Sequence, residues 1–269
     1  MTDKTQINFS DVLKRAVTEK GKLLEAYTSF HNYSFFNQLL AMQQCLDRGI
    51  EITPISTFLG WQQKGRYVKK GQKALTLCMP ASFKKEIEND DGDIEEKNIP
   101  YFQFKSKFFT LSQTDGKEVE NEFTFKYWSK LDCLKNLEVE LIKFTHINGN
   151  VQGYATQNRQ IAINPLAQLP FKTMFHELGH ILLGHTEESI HALDLPHSLK
   201  EVEAESVALL CLASLDLDGE EYARGYIQHY LQSEEIPEKS ARKIMSATDK
   251  ILKAGRNDHS LNDAKKSES

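Results

Sequence analysis

His176 and His180 stand four residues apart in "TMFHELGHILLGH", with Glu177 beside the first of them. This spacing constrains the chain more than any other feature. In a helix the two imidazoles lie roughly 40° apart on one face, a single turn from each other. Ring nitrogens placed that way can share one tetrahedral zinc. Glu177 then borders the open coordination position, where its carboxylate can take a proton from water. Leu178, Ile181 and Leu182 mark an apolar side of the same helix. Gly179 costs about 1 kcal/mol against alanine in mid-helix, and makes sense where another backbone must approach the histidine face closely.

The third ligand decides the class of site. A glycine three residues and a histidine six residues beyond the second ligand would extend one common pattern, but Leu183 and Thr186 occupy those positions. His185 falls one residue short and on another face. The helix predicted over "LKEVEAESVALLCLASLDL" offers carboxylates instead. Glu201 and Glu205 are one turn apart on one face; Glu203 points elsewhere and is expected in solvent. We expect Glu201 as the metal ligand. Glu205 is then the residue that orients a ligand histidine through its other ring nitrogen, and the reverse assignment stays open. His185, His191 and His197 read as surface histidines. Such a ligand set accepts Zn2+ first, with Mn2+ or Co2+ as alternatives.

Upstream, Val12, Leu13, Ala16 and Val17 recur at helical spacing, with Ser10 or Asp11 as the expected N-cap and Gly21 as a break before the next helix. A further helix ends at Gly49, and a short one is expected from Ile55 to Lys64. Then the pattern changes. "ALTLCMP" and "YFQFKSKFFTLS" read as strands joined through the charged segment "KKEIENDDGDIEEKN", a hairpin tip or mobile loop. Further on, "VELIKFT" and "GYATQNRQIAIN" read as two strands joined by the turn "HINGN", followed by the motif helix, the glutamate helix and two more. The expected class is α+β. The second of those strands has the character of one that can pair with an extended peptide, and Tyr154 on it is either packing or cleft lining. The tail, "RNDHSLNDAKKSES", has little to bury and is expected to be disordered.

Charge is uneven along the chain. Residues 1–80 hold 11 Lys+Arg against 6 Asp+Glu, whereas residues 127–269 hold 15 against 21, within a formal net charge of −5. Only the front could therefore meet a polyanion. Within it Lys64, Arg66, Lys69, Lys70 and Lys73 crowd a turn-rich stretch with Trp61 and Tyr67 between them. Cations that follow a phosphate backbone, interleaved with rings that stack on bases, suit sequence-tolerant binding of single strands. The alternative is a solvated basic loop with Trp61 in the core. Cys45, Cys78, Cys133 and Cys211 form no CxxC pair, which fits a reducing cytoplasm. The polar N-terminus lacks the apolar core of a signal peptide, and "VALLCLASL" is too short to span a bilayer, so no membrane partner is expected.

These segments carry a resemblance. "NGNVQGYATQNRQIAINP", "FHELGHILLGH" and "EVEAESVA" resemble zincin-like metallopeptidase domains, including those of the ImmA/IrrE kind. "NYSFFNQLLAMQQCLDRGI", "TFLGWQQKGRYVKKGQKALTL" and "YFQFKSKFFTLSQ" resemble the N-terminal domain of ArdC-type antirestriction proteins, in the helix bearing Asn37, the Trp61–Gly65 turn and "VKKG" at 68–71. The family's Trp-Pro opening is not evident, and the acidic loop at 86–96 looks local to this chain. The resemblance implies two domains: an N-terminal α+β single-stranded-DNA-binding domain over 1–122 and a zincin-like metallopeptidase domain over 123–255, before the tail at 256–269. It also implies a mobile-element protein that protects incoming DNA from restriction. Two other readings are a regulatory metallopeptidase that cuts a protein partner, and a DNA-binding protein whose metal only stabilises its fold.

Overall fold

The computed structural model describes residues 7–88, 94–119, 128–145, 151–187 and 195–256. The expected tip of the acidic loop at 89–93, the "HINGN" turn, His191 and the tail beyond 256 lie outside the described residues. The chain divides into two compact units, one of residues 1–36 with 123–269, the other of residues 37–122. The expected boundary put all of 1–122 together, and the difference lies in the first two helices.

Those helices are α1 (Phe9–Thr18) and α2 (Leu23–Phe30). Asn8, not Ser10 or Asp11, caps α1, its side chain accepting from the Asp11 backbone N–H at 2.7 Å. The stripe of Val12, Leu13, Ala16 and Val17 is buried as the periodicity requires. Its partners come from the far end of the chain. Arg224 donates to the carbonyl oxygens of Val17 and Glu19, and Glu238 accepts from the Ser10 backbone N–H at 2.9 Å.

In the unit of residues 37–122, α3 (Phe35–Arg48) ends at Gly49, which adopts a left-handed φ of 63°. The predicted helix from Ile55 is shorter than expected. Ile55–Thr57 forms strand β1, and Thr57 then caps α4 (Phe58–Gln63) by accepting from the Gly60 N–H. Strands β3 (Leu75–Glu88) and β4 (Ile94–Thr110) make a long antiparallel hairpin, with sheet order β1-β4-β3, and β2 (Arg66–Val68) pairs β5 (Thr114–Gly116). Two amides of α3 cover the open edge of β3. Asn37 exchanges two hydrogen bonds with the Cys78 backbone, both 2.8 Å, and Gln44 does the same with Thr76 at 2.8 and 2.9 Å. A side-chain amide presents a donor and an acceptor as a neighbouring strand would, so this edge is closed without another strand.

The other unit holds the small sheet and the helices of the motif. Helix α5 (Lys130–Asn136) precedes β6 (Glu140–Ile142), β7 (Gly153–Ala155) and β8 (Gln160–Ile163), in sheet order β6-β8-β7. "GYATQNRQIAIN" is thus a hairpin of two strands, not one. β6 pairs β8 in parallel, not the strand next to it in sequence. Four helices follow: α6 (Pro170–Leu183), α7 (His197–Leu215), α8 (Glu220–Tyr230) and α9 (Glu238–Ala254). Every residue of α7 from Val202 to Leu212 is buried, so this helix is the core around which the others pack. Among the described residues, no helix is long and apolar enough to cross a membrane.

All four cysteines are free and buried. Burial pushes the Cys45 thiol up to about 11 and that of Cys133 up to about 12. Since the thiolate is the reactive form, a disulfide reagent such as DTNB should find no rapidly titrating thiol at pH 8. All four should react once denaturant is added; a fast-reacting thiol in the native protein would contradict this packing.

Candidate metal centre

Helix α6 starts with Pro170 at its first position and ends where Gly184 turns left-handed at φ 79°. His176 and His180 share its inner face as their spacing requires, with their Nε2 atoms 3.0 Å apart. From α7, Glu201 brings one carboxylate oxygen to 3.4 Å from His176 Nε2 and the other to 3.4 Å from His180 Nε2. These three residues form a group of ligand atoms able to hold a metal ion. Donors bound about 2.0–2.2 Å from a tetrahedral ion are about 3.3–3.6 Å from one another, close to the triangle seen here. His176, His180 and Glu201 keep 19%, 15% and 27% of their side-chain exposure, so the cluster opens to solvent on one side.

Gly179 explains how the two helices meet. A Cβ there would lie 3.1 Å from the Cα and 3.3 Å from the carbonyl oxygen of Ala204 on α7. The bare α-carbon lets the helix backbones approach within the turn that carries both histidines. Gly153 of β7 plays a similar part on the other side, because a Cβ at that position would meet Thr173 at 2.5 Å and Glu177 Oε1 at 3.3 Å.

Each histidine is held from behind. His176 Nδ1 lies 2.9 Å from Glu205 Oε2, and the other oxygen of Glu205 accepts from Lys172 at 2.6 Å. Glu205 therefore sits on the Nδ1 side of His176, and Glu201 on the Nε2 side. His180 Nδ1 lies 2.9 Å from His185 Nδ1, and His185 Nε2 lies 2.7 Å from Glu203 Oε2. This second chain corrects two expectations. Glu203 is not in solvent and His185 is not a surface histidine; their side chains are 1% and 3% exposed. The left-handed turn at Gly184 folds His185 back beneath His180, and α7 is buried on every face from Val202 to Leu212, so Glu203 meets no solvent there. His197 is the surface residue it was expected to be, 87% exposed, with Nδ1 3.6 Å from Glu201.

The electrostatics follow from this packing. Burial pushes the Glu177 carboxyl up to about 7, aided by the charge of Glu201 and opposed by His176 and Lys172. For His176, burial favours the neutral ring, but hydrogen bonds to Glu201 and Glu205 prevail and raise it to about 9. Burial and the neighbouring His176 charge push His180 down. A metal ion bound to these rings would displace the His176 proton, so binding and proton release are linked.

The basic turn is less open than its sequence implies. Trp61 is 1% exposed and its indole N–H donates to the Phe109 carbonyl at 2.8 Å, so its ring is core and not a stacking platform. The Arg66 guanidinium is spent on Thr114 Oγ1 at 2.7 Å, the Thr114 carbonyl at 2.9 Å and the Lys117 carbonyl. Lys69 donates to the Ser112 carbonyl at 3.1 Å and lies 3.5 Å from Asp115. Tyr67, Lys64, Lys70 and Lys73 are exposed.

An α+β protein with a His–His–Glu cluster between two packed helices is the class these features define. Residues 12–109 match the family model described as the N-terminal domain of anti-restriction factor ArdC. Two crystal structures of the antirestriction protein ArdC from plasmid R388 share the fold. The metal-free one has a TM-score of 0.56 at 19% identity, covering 92% of this chain and 94% of that one. The Mn(II)-bound one has a TM-score of 0.55 at 16% identity, covering 93% and 99%. No curated protein matches the sequence. Residues 12–109 are thus similar to the ArdC N-terminal domain, and the chain as a whole shares the fold of ArdC.

Proposed function

We propose that this ArdC-like chain is an antirestriction protein of a mobile element. In this reading it acts in the cytoplasm, binds single-stranded DNA through its N-terminal domain and holds a divalent metal ion at His176, His180 and Glu201. The observation that carries the metal reading is the donor triangle, with both Nδ1 atoms engaged behind it and both Nε2 atoms facing Glu201. The Mn(II)-bound relative supports a divalent ion. The two-histidine, one-carboxylate set suits Zn2+ and also accepts Mn2+ or Co2+.

The ion would supply Lewis acidity toward a peptide carbonyl and toward water. Glu177 would accept the proton of the attacking water and pass it to the leaving amine, and a carboxyl held near 7 is matched to both transfers. DNA contacts in this reading come from Lys64, Lys70 and Lys73 with Tyr67, the side chains of the basic turn that are exposed.

The test is Glu177→Gln, which keeps shape and removes the base. Entry of unmodified plasmid DNA into a restricting host is scored beside metal content. The variant is expected to keep about one ion per chain and to lose protection, with hydrolysis of any peptide substrate falling about 10²- to 10⁴-fold. Full protection by this variant would assign the metal to fold stability alone.

A further inference from the structure

With Trp61 buried, the basic turn retains one exposed ring, Tyr67. The β3–β4 hairpin carries more. Phe83, Tyr101, Phe102 and Phe104 are 50%, 42%, 70% and 42% exposed, in a sheet whose other aromatics, Phe108 and Phe109, are buried and half-buried. Residues paired across an antiparallel ladder project to the same face, and the face alternates at each step. One face therefore collects the pairs Leu77↔Lys105, Met79↔Gln103, Ala81↔Tyr101, Phe83↔Ile99 and Lys85↔Lys97. It holds three lysines and two exposed rings, and none of its ten residues is acidic. Phe83 and Tyr101 lie edge to face with centroids 5.8 Å apart. The opposite face differs. There Phe104, Phe102 and Pro100 stand opposite Cys78, Pro80 and Ser82, and it carries an acid, Glu96, 2.7 Å from Lys84.

We propose that the face bearing Phe83, Tyr101, Lys85, Lys97 and Lys105 is a stacking surface for single-stranded DNA. The inference rests on the DNA-binding reading above and adds a second contact surface to the basic turn. Rings accept bases without regard to sequence, and lysines on the same face neutralise the backbone that links them. A protein groove would meet this face with matching apolar area, but a cationic face without acids and with exposed rings is complementary to a polyanion. Leu77 is buried, and from Met79 to Lys85 the strand runs about 20 Å, room for a few nucleotides.

The test uses the full chain and a fluorescein-labelled oligo(dT) strand, titrated by anisotropy at two salt concentrations. Four variants accompany the wild type: Phe83→Ala/Tyr101→Ala, Lys85→Gln/Lys97→Gln/Lys105→Gln, the opposite-face pair Phe102→Ala/Phe104→Ala, and the turn variant Lys64→Gln/Lys70→Gln/Lys73→Gln. Loss of both rings is expected to weaken binding about 30-fold. Loss of the three charges should reduce the slope of log affinity against log salt by about 2, while the opposite-face pair binds as wild type. The lysine variant alters only side chains at the surface, so its result stands even if the ring variant folds poorly. Wild-type affinity in both proposed-face variants, together with loss in Lys64→Gln/Lys70→Gln/Lys73→Gln, overturns the proposal and leaves DNA binding at the turn. A wild type that does not bind the strand overturns the DNA-binding reading itself.

Discussion

Glu201→Gln is expected to reduce bound metal from about one ion per chain to less than a tenth, measured by mass spectrometry after dialysis against a weak chelator. Glutamine keeps the length and shape of the side chain but removes the charge and leaves a poorer oxygen donor. Two imidazoles alone then hold the ion, and neutral nitrogen pairs without an anionic partner are weak sites for a divalent cation. The fold should be unaffected, because the Glu201 side chain is 27% exposed and its neighbours can turn to water. Glu205→Gln provides the contrast. Its carboxylate lies behind His176 and on Lys172, so its loss should weaken binding about 10- to 100-fold without abolishing it. Its folded-state cost should also be larger, since the Lys172 ammonium would lose its carboxylate partner. If the two variants exchanged these outcomes, Glu205 would be the ligand and Glu201 its support.

The clustering of His176 and His180 is legible in the sequence because its information is local. Two histidines at i and i+4 share a face in any helix, and a glycine between them signals close approach whatever approaches. The identity of the approaching residue, Ala204, was not legible, since it depends on how α6 crosses α7. The one-turn spacing of Glu201 and Glu205 puts them on one face, but the expectation for Glu203 fails for a physical reason. Helical periodicity says that it faces away from Glu201; it does not say that water is there. The clue is in "VALLCLASL", a run apolar on nearly every face, which marks a helix segment buried all round. A glutamate on such a helix must have a partner. His185 was missed because its angle was projected along a helix that stops at Gly184.

The same limit appears in the other elements. The stripe on α1 declares that one face is buried, but nothing in residues 9–18 says that Glu238 and Arg224 complete it. Strand order in the small sheet is likewise non-local: β6 and β8 pair in parallel across an intervening strand. The basic turn failed in the opposite sense. Its composition is correct for a nucleic-acid contact, but Trp61, Arg66 and Lys69 had already been committed to the Phe109, Thr114 and Ser112 carbonyls. Composition counts donors and rings, and only the fold tells which remain to be used.

Glu203→Ala should therefore be the most destabilising single change near the site, though it touches no ligand atom. The carboxylate is buried and accepts at 2.7 Å from His185, while a hydrogen bond from Ser240 and the Lys243 charge also favour its ionised form. Removing it leaves the His185 Nε2–H without an acceptor in a site closed to water, which costs about 1–3 kcal/mol. In a chain of this size each kcal/mol lowers Tm by about 2–4 °C, so calorimetry should register a fall of several degrees. A second effect separates a positioning role from mere stability. His185 must present Nδ1 as the acceptor for His180 Nδ1–H if His180 is to turn Nε2 toward the ion. Glu203 fixes that tautomer by accepting at the other nitrogen. Metal affinity of the folded Ala variant, measured well below its Tm by competition with a chromophoric chelator, should fall about 10- to 100-fold. Glu203→Gln should recover most of this affinity, because its amide oxygen can accept the same bond. Wild-type affinity in Glu203→Ala would mean that His180 is oriented by its own packing, and that the buried His185–Glu203 pair serves the helix junction alone.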